Sequence, residues 1–249
     1  MKSQVTIEDG GARSCESELT DGFTSAPKEL GLSPDLRVNW LGRIGFREAL
    51  DQQEAIVSLK RSNSSHPDIL LLLEHDPVYT IGRTPDHSSL LGAAHLPHPL
   101  FAINRGGQAT YHGPGQLVGY PILDLRRYGQ DLHRYLRWLE SVLIELLAKY
   151  RLEGERREGL TGVWIQNRKI ASIGVGVRHW ITMHGFALNV GGDLSPFGKI
   201  VPCGLAQVTM TSIEKETDRP VSLVDVAAEF EKIVVRRISD LRGEAEPSR

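Results

Sequence analysis

The sequence predicts one α/β domain of the α+β type, a mixed and largely antiparallel sheet with helices packed on it. Three observations predict this. Strand-like apolar runs outnumber helical ones, neighbouring runs pair across short turns, and helical patterns come early, in the middle and last. No internal repeat and no linker-like stretch divides the core.

Residues 1–35 are polar, rich in Gly, Ser, Asp and Glu, with Pro27 and Pro34 and no apolar period. Such a segment reads as a disordered or loosely attached extension. The catalytic-size core then runs over 36–242, and 243–249 reads as a polar tail. Within the core, Phe46, Leu50, Gln53 and Val57 fall at helical spacing and predict a helix over Phe46 to Lys60. Ile69 to Leu73 is a solid apolar run, expected as a buried strand. Val78–Ile81, Phe101–Asn104 and Leu117–Leu123 are further strand candidates. Leu132, Tyr135, Leu136, Leu139, Val142, Leu143 and Leu146 recur at spacings of three and four, the clearest amphipathic helix in the chain. Val163–Gln166 and Lys169–Val177 read as a hairpin turning at Asn167 and Arg168. Met183–Val190 and Val208–Ile213 follow as strands, and Ser222 caps a last helix whose inward face is Leu223, Val226, Phe230, Ile233 and Val234.

Composition narrows the function. The 249 residues are 40% hydrophobic and 24% charged, enough for a sizeable core. With 29 basic against 31 acidic residues, no net field draws the chain to nucleic acid or to a membrane. Two distant cysteines, Cys15 and Cys203, make no disulfide framework and suit a reducing compartment. No apolar run reaches the ~20 residues of a membrane span, and the acidic N-terminus resembles neither a signal nor a transit peptide, so a cytoplasmic location is expected.

Cys203 stands between Pro202 and Gly204, a turn setting. A cysteine acts as a nucleophile only as the thiolate, and an unperturbed thiol near pKa ~8.5 is mostly protonated at neutral pH. Histidines that could take the proton are scattered, with His112, His179 and His184 in glycine-rich or strand-end contexts. Lysine serves when burial lowers its usual value of ~10.4. Lys169 opens a strand-like run, but a lone lysine beside a hairpin turn is more often solvated, and periodicity does not select it. The most unusual stretch is Arg105 to Gln116, with four glycines, Pro114, Arg105 and His112 in twelve residues. Lying between two strand candidates it reads as a loop, whose glycines let backbone amides approach a ligand carbonyl. It is neither a Walker loop nor a GxGxxG turn. In His184 to Asn189, Gly185 and Ala187 alternate with larger residues and suit the wall of a narrow slot. Metal binding is disfavoured, since His95 and His98 sit among Pro97 and Pro99 with no carboxylate or cysteine to complete a set. No G-x-S-x-G elbow is present for a serine hydrolase.

Five segments in order are together specific: Arg105–Gly106–Gly107 through Tyr111–His112–Gly113–Pro114–Gly115–Gln116, Gly159 to Trp164, Lys169 to Gly174, His184 to Asn189, and Pro202–Cys203–Gly204. Over about residues 36–242 the chain resembles the octanoyltransferases of lipoate biosynthesis, the lipoyl(octanoyl) transferase family. The resemblance implies a biotin/lipoate protein ligase-like fold, a Cys203 acyl-thioester and a Lys169 that lowers the thiol pKa. It further implies that Arg105, Gly106, Gly107, Gln108, Ala109, Thr110, Tyr111 and His112, then Ser172, Ile173 and Gly174, then Gly185, Phe186 and Ala187, bind the acyl substrate. Implied partners are octanoyl-acyl carrier protein as donor, and lipoyl domains of 2-oxoacid dehydrogenase E2 subunits and the glycine cleavage H protein as acceptors. No cofactor or metal is expected, and a monomer is. The rivals are an ATP-dependent lipoate or biotin ligase of the same fold, which needs no Cys203, a non-catalytic acyl-binding module, and a cysteine hydrolase. Dependence on ATP and the nature of the product separate them.

Overall fold

The computed structural model describes residues 28–33, 36–83, 89–90, 96–201 and 208–242. Cys15, His95, Cys203, residues 1–27 of the expected extension and the 243–249 tail lie outside the described residues.

Among the described residues, the main sheet has nine strands. Its spatial order begins with β1 (Lys28–Ser33), β2 (Leu36–Ile44), β3 (Asp68–His75) and β7 (Gln116–Ile122). It continues through β11 (Ile181–Asn189), β10 (Arg168–Arg178), β9 (Leu160–Ile165) and β8 (Glu155–Arg157). β12 (Thr209–Met210) runs parallel to the start of β10, and β2 runs parallel to β3; the other pairings are antiparallel. The sheet is therefore mixed and mainly antiparallel, as the hairpin patterns predict. Three shorter strands form a second sheet in the order β5 (Leu100–Ala102), β4 (Val78–Ile81), β6 (Thr110–His112).

Burial explains the layers. In β3, Leu70 and Leu72 face one side and Ile69, Leu71 and Leu73 the other, so both faces of the sheet are covered. On the first side lie α2 (Leu132–Lys149) and α4 (Leu223–Arg237), whose Leu139, Leu143, Leu146, Phe230 and Val234 complete the larger core. On the second side α1 (Phe46–Ser62) packs Ala49 and Val57 against Tyr120, Met183 and Ala187. Asp131 caps α2 by accepting from Arg134 N at 2.9 Å, and Ser222 caps α4 by accepting from Asp225 N at 3.3 Å. Among the described residues, no helix is long and apolar enough to cross a membrane.

Four expectations need correction. Lys28–Ser33, inside the stretch read as an extension, is an edge strand paired with β2. Its alternation is limited to Leu30 and Leu32, too short a signal beside Pro34, so only the pairing reveals it. Arg105–Gln116 is not one loop, because Thr110–His112 forms β6 of the small sheet. The strand expected over Val208–Ile213 stops at Met210, where Ser212 accepts from Lys215 N and starts the short helix α3 (Ile213–Thr217). The β9–β10 turn is made by Gln166, at φ 50°, and Asn167, so Arg168 already belongs to the ladder.

Candidate active site

Lys169 is the second residue of β10, and its side chain is buried, with 2% of its surface exposed. It is not the solvated turn lysine that its sequence setting favours. The ladder places it opposite Trp164 of β9 and beside Met210 of β12. Its Nζ donates to Thr161 O at 3.2 Å and stands 5.2 Å from the centre of the Trp164 ring. The Arg157 guanidinium lies 4.7 Å from the same ring. Gly162 leaves room for the lysine stem: at φ 130°, a Cβ there would come within 2.8 Å of Lys169 Cε and 2.6 Å of Ala171 O.

Beside this lysine is an open cleft of about 340 Å³, bounded by Gly106, Leu132, Leu136, Leu160 and Val175, with Lys169 in its wall. Gly107, Ile173 and Gly174 line both this cleft and a smaller cavity of about 50 Å³ behind it. The register of β10 on β11 sets Gly174 beside Gly185 and Ser172 beside Ala187, so two separate motifs become one continuous wall. Arg105, Gln108, Thr110, His112 and Phe186 complete that inner cavity with them.

Arg105 holds the glycine loop in place rather than pointing into open space. Its buried guanidinium donates to Thr80 O at 3.1 Å, Thr80 Oγ1 at 3.0 Å, Gly106 O at 2.9 Å and Gln108 O at 2.9 Å. Gly106 N in turn donates to Val175 O at 2.9 Å, which fastens the loop to β10. Close approach explains Gly174, where a Cβ would sit 3.0 Å from Arg105 Cδ and 3.1 Å from Gly106 O.

The structure thus brings most of the expected binding residues around two adjoining spaces. Ala109 and Tyr111 are the exceptions: they alternate away from the cavity and pack with Tyr79 and Phe197 under the small sheet. Gly106 lines the outer cleft only. Of the scattered histidines, His112 and His184 line the inner cavity, whereas His179 sits exposed in the β10–β11 turn.

Sequence reasoning missed Phe46, Ile103 and Tyr120 in the cavity wall, and His75 and Gln53 behind it. These come from four different elements or connections, so no local pattern groups them. His75 Nδ1 donates to Ile44 O at 3.0 Å, which leaves its Nε2 to accept from Tyr120 OH at 2.7 Å. His112 Nδ1 donates to Gln116 Oε1 at 2.7 Å. Burial pushes His75 down to about 4, and burial with the nearby His75 ring pushes His112 down to about 3. Burial, then the charge of Arg105, lowers His184 to about 4. Tyr120 is raised well above the usual phenol value by burial. All four are therefore neutral near pH 7, so His112, His184 and Tyr120 give the cavity an uncharged wall with His75 behind it. His184 carries φ 57° in mid-strand, and its backbone N–H donates to Gln53 Oε1 at 2.8 Å.

Among the described residues, no group of His, Cys, Asp and Glu is arranged to hold a metal. Around residues 202–207, which are not described, Val201 N donates to Ser89 O at 2.8 Å and Thr211 N donates to Lys169 O at 3.0 Å. The chain that follows Cys203 thus reaches the Lys169 strand within seven residues, at Met210.

The lipoyl protein ligase A/B catalytic domain matches residues 46–234. The chain is 52% identical over 188 residues to the octanoyltransferase of Geotalea uraniireducens, covering 76% of this chain and 86% of that protein. It is 50% identical over 193 residues to that of Syntrophotalea carbinolica, with 78% and 90% covered. Among solved structures, lipoate-protein ligase A bound with ATP has a TM-score of 0.65 at 16% identity, covering 82% of this chain and 86% of that one. A bipartite lipoate protein ligase from Thermoplasma acidophilum has a TM-score of 0.61 at 16% identity, with 82% and 84% covered. At such identities these two likenesses speak for the fold alone.

Proposed function

The chain belongs to the lipoyl protein ligase A/B catalytic-domain family, within the octanoyltransferases, and on that footing we propose that it moves an octanoyl group from octanoyl-acyl carrier protein to a lysine of a lipoyl domain through a thioester on Cys203. The observation that carries this reading is Lys169, buried and held beside a cleft that shares Gly107, Ile173 and Gly174 with the motif-lined cavity.

In the first half-reaction, Lys169 Nζ takes the Cys203 proton and its ammonium stabilises the thiolate. The sulfur attacks the donor carbonyl. A new carbon–sulfur bond forms, the bond to the carrier's thiol breaks, and the proton leaves with that thiol. One thioester replaces another, so no ATP is needed. In the second half-reaction, the neutral amine of the acceptor lysine attacks the same carbonyl. The amide bond forms, Lys169 takes the proton that the attacking amine sheds, and the departing Cys203 sulfur receives that proton from Lys169. Conversion of a thioester to an amide drives this step forward.

Acceptors of this chemistry are the lipoyl domains of 2-oxoacid dehydrogenase E2 subunits and the glycine cleavage H protein, and the enzyme acts as a monomer in the cytoplasm. The outer cleft and the adjoining inner cavity together take the acyl chain, with each buried methylene contributing about 0.8 kcal/mol. The test is the mass of a purified lipoyl domain after incubation with the enzyme and octanoyl-acyl carrier protein. The reading expects one octanoyl added at one lysine with no nucleotide present. Addition only when ATP and free octanoate are supplied would assign the chain to adenylate-forming ligase chemistry instead.

A further inference from the structure

Glu140 is fully buried in the middle of α2, a costly place for a carboxylate unless its oxygens are used. Both are. Oε2 receives Arg137 Nη1 at 2.7 Å and Arg156 Nε at 3.1 Å, two side chains that reach the surface. Oε1 accepts the backbone N–H of Gly162 at 3.1 Å. That N–H and the Thr161 carbonyl belong to one peptide group, and the Thr161 carbonyl accepts Lys169 Nζ at 3.2 Å. A single peptide unit therefore joins the Glu140 carboxylate to the Lys169 amine.

We propose that Glu140 is a positioning residue for Lys169, acting through the Thr161–Gly162 peptide. A carboxylate on the N–H polarises the amide and makes its carbonyl a stronger acceptor. A stronger acceptor fixes the Nζ and favours its ammonium form. The ammonium is the partner that holds Cys203 as thiolate, so Glu140 raises the thiolate population from inside α2. Arg137 and Arg156 offset part of the carboxylate charge, and Arg157 shares the Trp164 ring with the lysine. The inference rests on the proposed Cys203–Lys169 partnership.

The test uses the full chain and Glu140→Gln, which keeps an oxygen for Gly162 N but removes the charge. The rate of Cys203 alkylation by iodoacetamide is followed against pH by peptide mass mapping, and Cys203 acylation by octanoyl-acyl carrier protein at neutral pH is timed in parallel. Glu140→Gln should move the alkylation profile up by about half a pH unit or more, toward the ordinary thiol range. Acylation should slow about threefold or more with the KM for the donor unchanged. A Glu140→Gln protein with wild-type melting temperature and superimposable profiles would overturn the inference. Should Glu140→Gln fail to fold, Arg156→Gln carries the test from the surface: with the carboxylate less offset, the profile must move to lower pH, and an unmoved or raised profile would overturn the inference. Lys169→Met separates this from the underlying reading. If Lys169→Met leaves Cys203 alkylation unchanged, the partnership itself fails and Glu140 has nothing to tune.

Discussion

Gly162 and Lys169 are matched in space: any Cβ on Gly162 would lie 2.8 Å from Lys169 Cε. The lysine stem packs where this residue on the neighbouring strand has no side chain, beside the Trp164 ring. Gly162→Ala should therefore cost about 1–3 kcal/mol, since φ 130° is strained for an alanine and the lysine stem must move. Urea denaturation measures the first effect. Timed acylation of Cys203 measures the second, and it should slow by more than the stability loss explains. Normal acylation in Gly162→Ala would show that the lysine needs no such fit.

Chain-length selection should respond at Ala187. Gly185 is not a useful probe, because a Cβ there would meet Gly119 O at 2.2 Å. Ala187 is buried in the inner cavity wall, so Ala187→Leu fills space without breaking the strand. Displacing about two methylenes should shift the octanoyl-to-hexanoyl preference by roughly tenfold toward the shorter chain. Competition between the two carrier-bound donors checks it, and unchanged selectivity would place the chain elsewhere.

The loop clamp predicts a binding defect. Arg105 reaches four acceptors on Thr80, Gly106 and Gln108, and lysine cannot reproduce that fork. Arg105→Lys should lose about 2–4 kcal/mol of stability. It should also raise the KM for the donor more than it lowers kcat, which steady-state kinetics with varied donor concentration resolves.

The histidine wall predicts acid sensitivity. His75, His112 and His184 have folded values of about 4, 3 and 4 against an ordinary 6.5. Between those values and 6.5 the unfolded chain binds more protons, so stability rises with pH there. It is fully present above pH 6.5 and is lost as the pH falls toward 4. His75 alone accounts for about 3 kcal/mol over that window. Thermal melts from pH 7 to 4.5 should show a steep decline, and His75→Gln should flatten it.

These particulars show what the sequence could and could not reveal. The period of Leu132 to Leu146 locates α2, and the run Ile69–Leu73 locates β3, because each is a long signal of burial. The glycine-rich stretch Arg105–Gln116 and the small residues Gly185 and Ala187 were legible from residue type as candidates, and the structure sets Gly107, Gly185 and Ala187 in the cavity wall, whereas Ser172 to Gly174 entered only with the resemblance. Lys169 was not legible from periodicity: its burial depends on Gly162 and Trp164 across a strand pair. Tyr120, His75, Gln53 and Glu140 were missed for a related reason. Each acts through a partner distant in sequence, such as Gln53 on His184 N or Glu140 on Gly162 N. Ala109 and Tyr111 show the converse, because strand alternation turns every second residue of a motif away from the cavity.

The central claim is the acyl-enzyme on Cys203 assisted by Lys169, and intact-protein mass spectrometry tests it most directly. Wild type, Cys203→Ala and Lys169→Ala are each incubated with octanoyl-acyl carrier protein in the absence of ATP. The account predicts a gain of one octanoyl in wild type that hydroxylamine removes, none in Cys203→Ala, and a much slower gain in Lys169→Ala. No adduct on wild type with a demonstrably loaded carrier, or an adduct that survives Cys203→Ala, would contradict it.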